Sequence, residues 1–123
     1  MAHPNEQVVR RAYEAINAGD IAAFAAEFTD DAVWHGAEAQ ITGAQAISAL
    51  VTQLREASGG TLHIELHDVI ANDEHAVAVQ ITRAERDGRS LSDRVVYVFH
   101  LRDGKIAEAW FTGDPRVQDA FWG

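Results

Sequence analysis

Four side chains of this sequence invite a chemical reading first: His35, Tyr13, Tyr97 and Asp114. An imidazole with its ordinary pKa titrates near neutrality, so His35, beside Trp34, can take or give a proton without further tuning. A surface histidine bonded within its own loop is the alternative. Tyr13 falls on the apolar side of a helical repeat and Tyr97 on an apolar strand face. Packing explains both rings, but a buried phenol still needs a hydrogen-bond partner, which a ligand can supply. Asp114 directly precedes Pro115, where a carboxylate acts as a turn or cap as readily as a base. Trp34, Phe99, Phe111 and Phe24 are core-forming aromatics whose inner faces would also touch any ligand held among them.

The six histidines raise the question of a metal. His63, Glu65 and His67 share one strand face, yet successive residues of a face stand about 7 Å apart along a strand, so they seldom converge on one ion. An exposed polar face accounts for them, and no metal is expected. The adjacent Asp30 and Asp31 read as a solvated turn, since nothing brings them to one proton. No glycine-rich loop leads from a strand into a helix, so no nucleotide cofactor is expected either.

The 123 residues carry 10 Lys+Arg against 19 Asp+Glu, a formal charge of −9, with 47% apolar and 24% charged residues. This is the size and composition of one folded domain, spanning 1–123. The negative balance would repel nucleic acid and an anionic bilayer, so neither is expected as a partner. With no cysteine, disulfides, thiol nucleophiles and thiolate metal sites are absent together. No apolar run approaches the roughly 18 residues of a membrane span and no signal-peptide core opens the chain, so a cytoplasmic location is the expectation.

The elements that must position these residues follow from periodicity. Val9, Ala12, Tyr13 and Ile16 repeat at helical spacing and predict a first helix over 4–17, closed by Gly19. Asp20 is placed to cap a second helix carrying Ile21, Phe24 and Phe28. A short extended stretch over 32–35 leads through a loop to a third helix, with Thr42 and Gln45 spaced for a reciprocal capping box. After Gly60 the period falls to two. Breaks at Asn72-Asp73-Glu74, Asp87-Gly88 and Asp103-Gly104 then predict a four-stranded antiparallel meander. A three-residue turn over 102–104 would set Leu101 opposite Lys105 and Tyr97 opposite Ala109. It would gather Val96, Val98, Ile106 and Trp110 on the other face, an apolar patch of the kind that marks a homodimer interface. Phe121 and Trp122 are expected to dock, because two exposed terminal aromatics forfeit burial. Helices before strands argue an α+β fold with the helices packed on one sheet face.

The runs Ala12-Tyr13 to Gly19-Asp20, Phe28-Thr29-Asp30-Asp31-Ala32-Val33-Trp34-His35, Gly43 and Phe99 to Ile106 resemble the SnoaL-like polyketide cyclase and ketosteroid isomerase superfamily. Nuclear transport factor two and scytalone dehydratase share its fold. The resemblance implies a cone-shaped roll: three N-terminal helices packed on a curved, mainly antiparallel sheet of four to six strands that encloses a deep apolar pocket. It usually implies a homodimer through the outer sheet face. It further implies cofactor-free acid–base chemistry, of an isomerase, cyclase or hydratase (lyase) kind, on an apolar cyclic or polyketide-like ligand. By position, Tyr13 and Tyr97 would be oxyanion donors and His35 or Asp114, at the pocket mouth, the proton carrier; Trp34, Phe99, Phe111 and Phe24 would contact ligand. His35 stands where the isomerases have an aspartate, and Phe111 is apolar where cyclases carry an acid. A non-catalytic small-molecule-binding or dimerisation domain is the alternative.

Overall fold

The computed structural model describes residues 2–37 and 39–123. Helix α1 (Pro4–Ala18) starts where the His3 ring accepts a hydrogen bond from the Asn5 amide, with proline in the first turn. It ends at Gly19, whose φ of 73° lets the chain reverse while the Asp20 amide returns to the Ala15 carbonyl. The Asp20 carboxylate then accepts from the Ala23 amide at 3.1 Å and opens α2 (Ile21–Ala26). Strands β1 (Phe28–His35) and β2 (Gln40–Thr42) form a short hairpin leading to α3 (Ala44–Ala57). The capping box expected from Thr42 and Gln45 does not form. Thr42 is held in the sheet opposite Val33, so Gly43, at φ 101°, becomes the cap and offers no side chain.

Strands β3 (His63–Ala71), β4 (His75–Arg86), β5 (Arg89–Arg102) and β6 (Lys105–Thr112) form the expected meander. Strand β1 lies parallel to β6, with His35 opposite Trp110, and extends it to a curved, unclosed sheet of six strands in the order β2-β1-β6-β5-β4-β3. The register at the last hairpin corrects the expected one. Asp103 and Gly104, at φ 54° and 76°, form a two-residue turn that pairs Arg102 with Lys105. Alone, that turn would invert every later side chain. A bulge that leaves Ala107 unpaired restores the phase, setting Phe99 opposite Ala109 and Tyr97 opposite Phe111. Tyr97 thus keeps its inward position, whereas Ile106 leaves the expected outer patch and is fully buried.

The helices cover the inner face, where Val9, Phe24, Ile47, Phe99 and Ile106 have almost no exposure. A fourth helix, α4 (Pro115–Trp122), closes the chain where only a docked tail was expected. Asp114 caps it by accepting from the Arg116 amide, and Pro115 occupies its first turn. Phe121 is buried, as the docking expectation requires. No helix is long and apolar enough to cross a membrane among the described residues.

At the free edge of β3, the Asn17 side chain imitates one more strand residue: its Nδ2 donates to the Ile64 carbonyl and its Oδ1 accepts from the Ile64 amide, both at 2.8 Å. Removing it leaves two backbone groups partnerless, so Asn17→Ala is expected to cost about 2 kcal/mol in chemical denaturation. An unchanged midpoint would show that water replaces both bonds.

Candidate active site

Between the inner sheet face and helices α1, α3 and α4 lies a cavity of about 370 Å³. Its walls are mostly apolar: Ile16 of α1, Leu50 and Leu54 of α3, Trp34 of β1, Phe111 of β6 and Trp122 of α4. Tyr97 lies in van der Waals range of both neighbouring rings, its centroid 4.9 Å from Trp34 and 5.7 Å from Phe111. Tyr13, only 4% exposed, sets its ring edge against Phe99 at 6.2 Å. Tyr13, Tyr97, Trp34 and Phe111 thus meet in one cavity, as the sequence led us to expect. The Tyr13 hydroxyl is buried without a hydrogen-bond partner.

Burial pushes the phenol of Tyr13 well above its ordinary value, and the nearby Tyr97 adds to the effect. Burial likewise raises Tyr97, partly offset by the Trp34 side chain. Both are neutral donors across the physiological range. The linkage has a definite sign: the unfolded chain releases these protons near pH 10 and the folded chain holds them higher, so stability is intact below pH 10 and falls above it. Each tyrosine contributes a loss of about 1.4 kcal/mol per pH unit there. In an alkaline titration tyrosinate absorbance should therefore appear together with loss of near-ultraviolet circular dichroism; ionisation with the fold intact would contradict the burial.

His35 and Asp114 are not at the cavity. Side chains alternate along β1, and since Trp34 takes the inner side, His35 lies on the outer face. There its Nε2 is 2.6 Å from Glu108 Oε2 and its ring stacks on Trp110 at 5.6 Å. Asp114 is the half-buried cap of α4; it accepts hydrogen bonds from the Arg116 side chain and amide, which hold its carboxyl below the usual range. Phe24 and Phe99 are also corrected: each is 1% exposed and packs behind the cavity wall instead of lining it. Glu65 pairs with Arg83 at 3.7 Å, and among the described residues no group of three histidine or acidic side chains is arranged to hold a metal ion.

Two polar residues of the wall were not singled out in the sequence. Gln80 is 2% exposed; its Nε2 donates to Thr82 Oγ1 at 3.2 Å, while its Oε1 has no partner. Their signal was the alternation in β4, which carries Val77, Val79 and Ile81 on one face and Ala78, Gln80 and Thr82 on the other. The smaller and more polar face is the inner one. At the mouth, Gln118 links the Trp122 indole to Asp93, and Arg86 and Arg89 donate to the last carbonyls of α4, fixing that helix beside the opening.

Residues 9–109 match the sequence model of the SnoaL-like domain family. An uncharacterized protein of Mycobacterium tuberculosis is 29% identical over 122 residues, covering 94% of this chain and 93% of that protein. Among solved structures, Bal32a from a soil-derived mobile gene cassette superposes with a TM-score of 0.91 at 28% identity, covering 98% of this chain and 97% of that one. An NTF2-like protein of Burkholderia pseudomallei superposes at 0.86 with 19% identity, covering 98% of both chains, a likeness of fold.

Proposed function

The chain belongs to the SnoaL-like domain family, and on that premise we propose that its cavity binds an apolar, ring-containing small molecule, with Tyr13 and Tyr97 donating hydrogen bonds to one oxygen of it. The observation that carries this reading is the buried, unpartnered Tyr13 hydroxyl. A buried donor without an acceptor costs stability, and a ligand oxygen would recover it. The cavity lies at the lower end of the roughly 300–1,000 Å³ of small-molecule sites. Neutral phenols in an apolar enclosure suit a reaction that builds negative charge on a carbonyl oxygen, hence a cofactor-free isomerase, cyclase or hydratase conversion.

One observation favours the second reading, a binding module without turnover. Among the described lining residues there is no imidazole, and Asp119 at the mouth is the one side-chain carboxylate. The two readings differ in whether a proton acceptor reaches the ligand. In D₂O, accelerated exchange of the protons beside the carbonyl of bound 1-tetralone would support the enzyme; no acceleration would favour the module.

Binding itself is tested by titrating 1-tetralone and its hydrocarbon analogue tetralin, read by intrinsic fluorescence because Trp34 and Trp122 line the cavity. Tyr13→Phe is expected to weaken the ketone about tenfold and leave tetralin unchanged. Equal effects on both would contradict the donor role.

We propose in addition that a second copy of the chain covers the outer sheet face. Ile70, 62% exposed, adjoins Val77 across the strands, and Val98 and Trp110 continue that row. A row of apolar side chains on an open face supports an interface between copies.

A further inference from the structure

The tyrosines account for one polar region of the cavity, and Gln80 and Thr82 make another. Gln80 is placed on the inner face of β4 by the same alternation that buries Ala76, Ala78 and Ala84. In a sheet core such a position is ordinarily apolar, because a buried amide left half-satisfied is destabilising. Here the amide spends one group on Thr82 Oγ1 and keeps Oε1 buried without a partner. Nothing in the protein's own packing uses that acceptor, and the residue belongs to the cavity wall.

The register fixes where this region lies relative to the phenols. Ala78 is opposite Tyr97, and Gln80, two residues further along β4, is opposite Val95. Two residues of strand separate the two positions by roughly 7 Å, about the span of one aromatic ring with its substituents. The walls between and around them are apolar.

We propose that the ligand carries two oxygens on opposite sides of a ring system: a carbonyl-type acceptor at Tyr13 and Tyr97, and a hydroxyl that donates to Gln80 Oε1. Gln80 is then the specificity-determining residue that selects hydroxylated cyclic ketones over their deoxygenated analogues, and Thr82 holds its amide in place. Selection of this kind is strong because the unhydroxylated ligand leaves the buried acceptor unpaired. The inference rests on the ketone-binding reading above.

The test compares 6-hydroxy-1-tetralone, 6-methoxy-1-tetralone and 1-tetralone by fluorescence titration of the wild-type protein and of Gln80→Met. Wild type is expected to bind the hydroxy ketone about tenfold more tightly than either of the other two, since only the hydroxyl can donate. Gln80→Met should bring the three to within about threefold of one another by weakening the hydroxy ketone alone, and should unfold at an unchanged or higher temperature because an unsatisfied buried group has been removed. Wild type that binds 1-tetralone but shows no preference for the hydroxyl overturns the inference and leaves the ketone reading standing. So does a folded Gln80→Met that keeps the preference. Failure of all three ketones to bind overturns both. The wild-type comparison stands even if the variant does not fold.

Discussion

Replacing Phe99 with alanine lowers the free energy of unfolding by about 3–5 kcal/mol. The ring is 1% exposed and lies at the centre of the aromatic cluster, 6.2 Å from Tyr13, 6.0 Å from Tyr97 and 6.4 Å from Trp34. Its cross-strand neighbours are Ala76 and Ala109, both buried and too small to close the gap. The cost therefore falls at the high end for a deleted aromatic, where the site cannot collapse. Phe111 provides the contrast. It is half-buried on the cavity wall, so Phe111→Ala enlarges space that is already open and costs less. Chemical denaturation of the two variants checks this; equal losses would contradict the division between core and wall.

Trp110→Asp has the second large effect, on assembly. Trp110 is opposite Val98 on the outer face, stacked on His35 and two residues from Glu108, so an aspartate there removes the largest apolar surface of the row and adds a like charge. If a second copy covers this face, the wild-type chain sediments as a dimer and the variant as a folded monomer of half the mass. A wild-type monomer at all concentrations, or a variant that remains dimeric, would contradict the proposed interface.

How much of this was legible in the sequence depends on which physical signal fixed each element. Gly19 with Asp20, and the Asp-Gly turns, are local: backbone that needs positive φ and a cap that needs an oxygen can be read residue by residue, and both were. Helical and strand periods carry Tyr13 and Tyr97 to apolar faces; that these faces and Trp34 share one cavity is what the family resemblance implies, and they do. The placement of His35 failed on a parity argument. Adjacent residues of a strand face opposite ways, so Trp34 and His35 could not both meet the ligand once either was assigned. Ile106 failed because the turn is two residues long where three were expected, which carries Ile106 inward; the bulge at Ala107, which has no sequence signature comparable to a turn, then returns Glu108 and Trp110 to the expected face. Asp114-Pro115 reads as a turn or a cap, and the cap is what forms; the helix it opens was not expected because the same two residues serve both. Alternation alone does not say which side of β4 faces inward, and Val77, Val79 and Ile81 make the opposite side the more apolar one; around a cavity the inner face is the smaller and more polar one, which is where Gln80 and Thr82 lie.

The central claim is that Tyr13 and Tyr97 donate to a ligand oxygen inside the cavity, and the carbonyl stretching frequency of bound 1-tetralone, recorded by infrared difference spectroscopy with a ¹³C-labelled carbonyl, tests it most directly. Two neutral phenols donating in an apolar enclosure should move the band to lower frequency than in water, and Tyr13→Phe should return part of that shift. A bound carbonyl that absorbs as it does in hydrocarbon solvent, unchanged by Tyr13→Phe, would contradict the account.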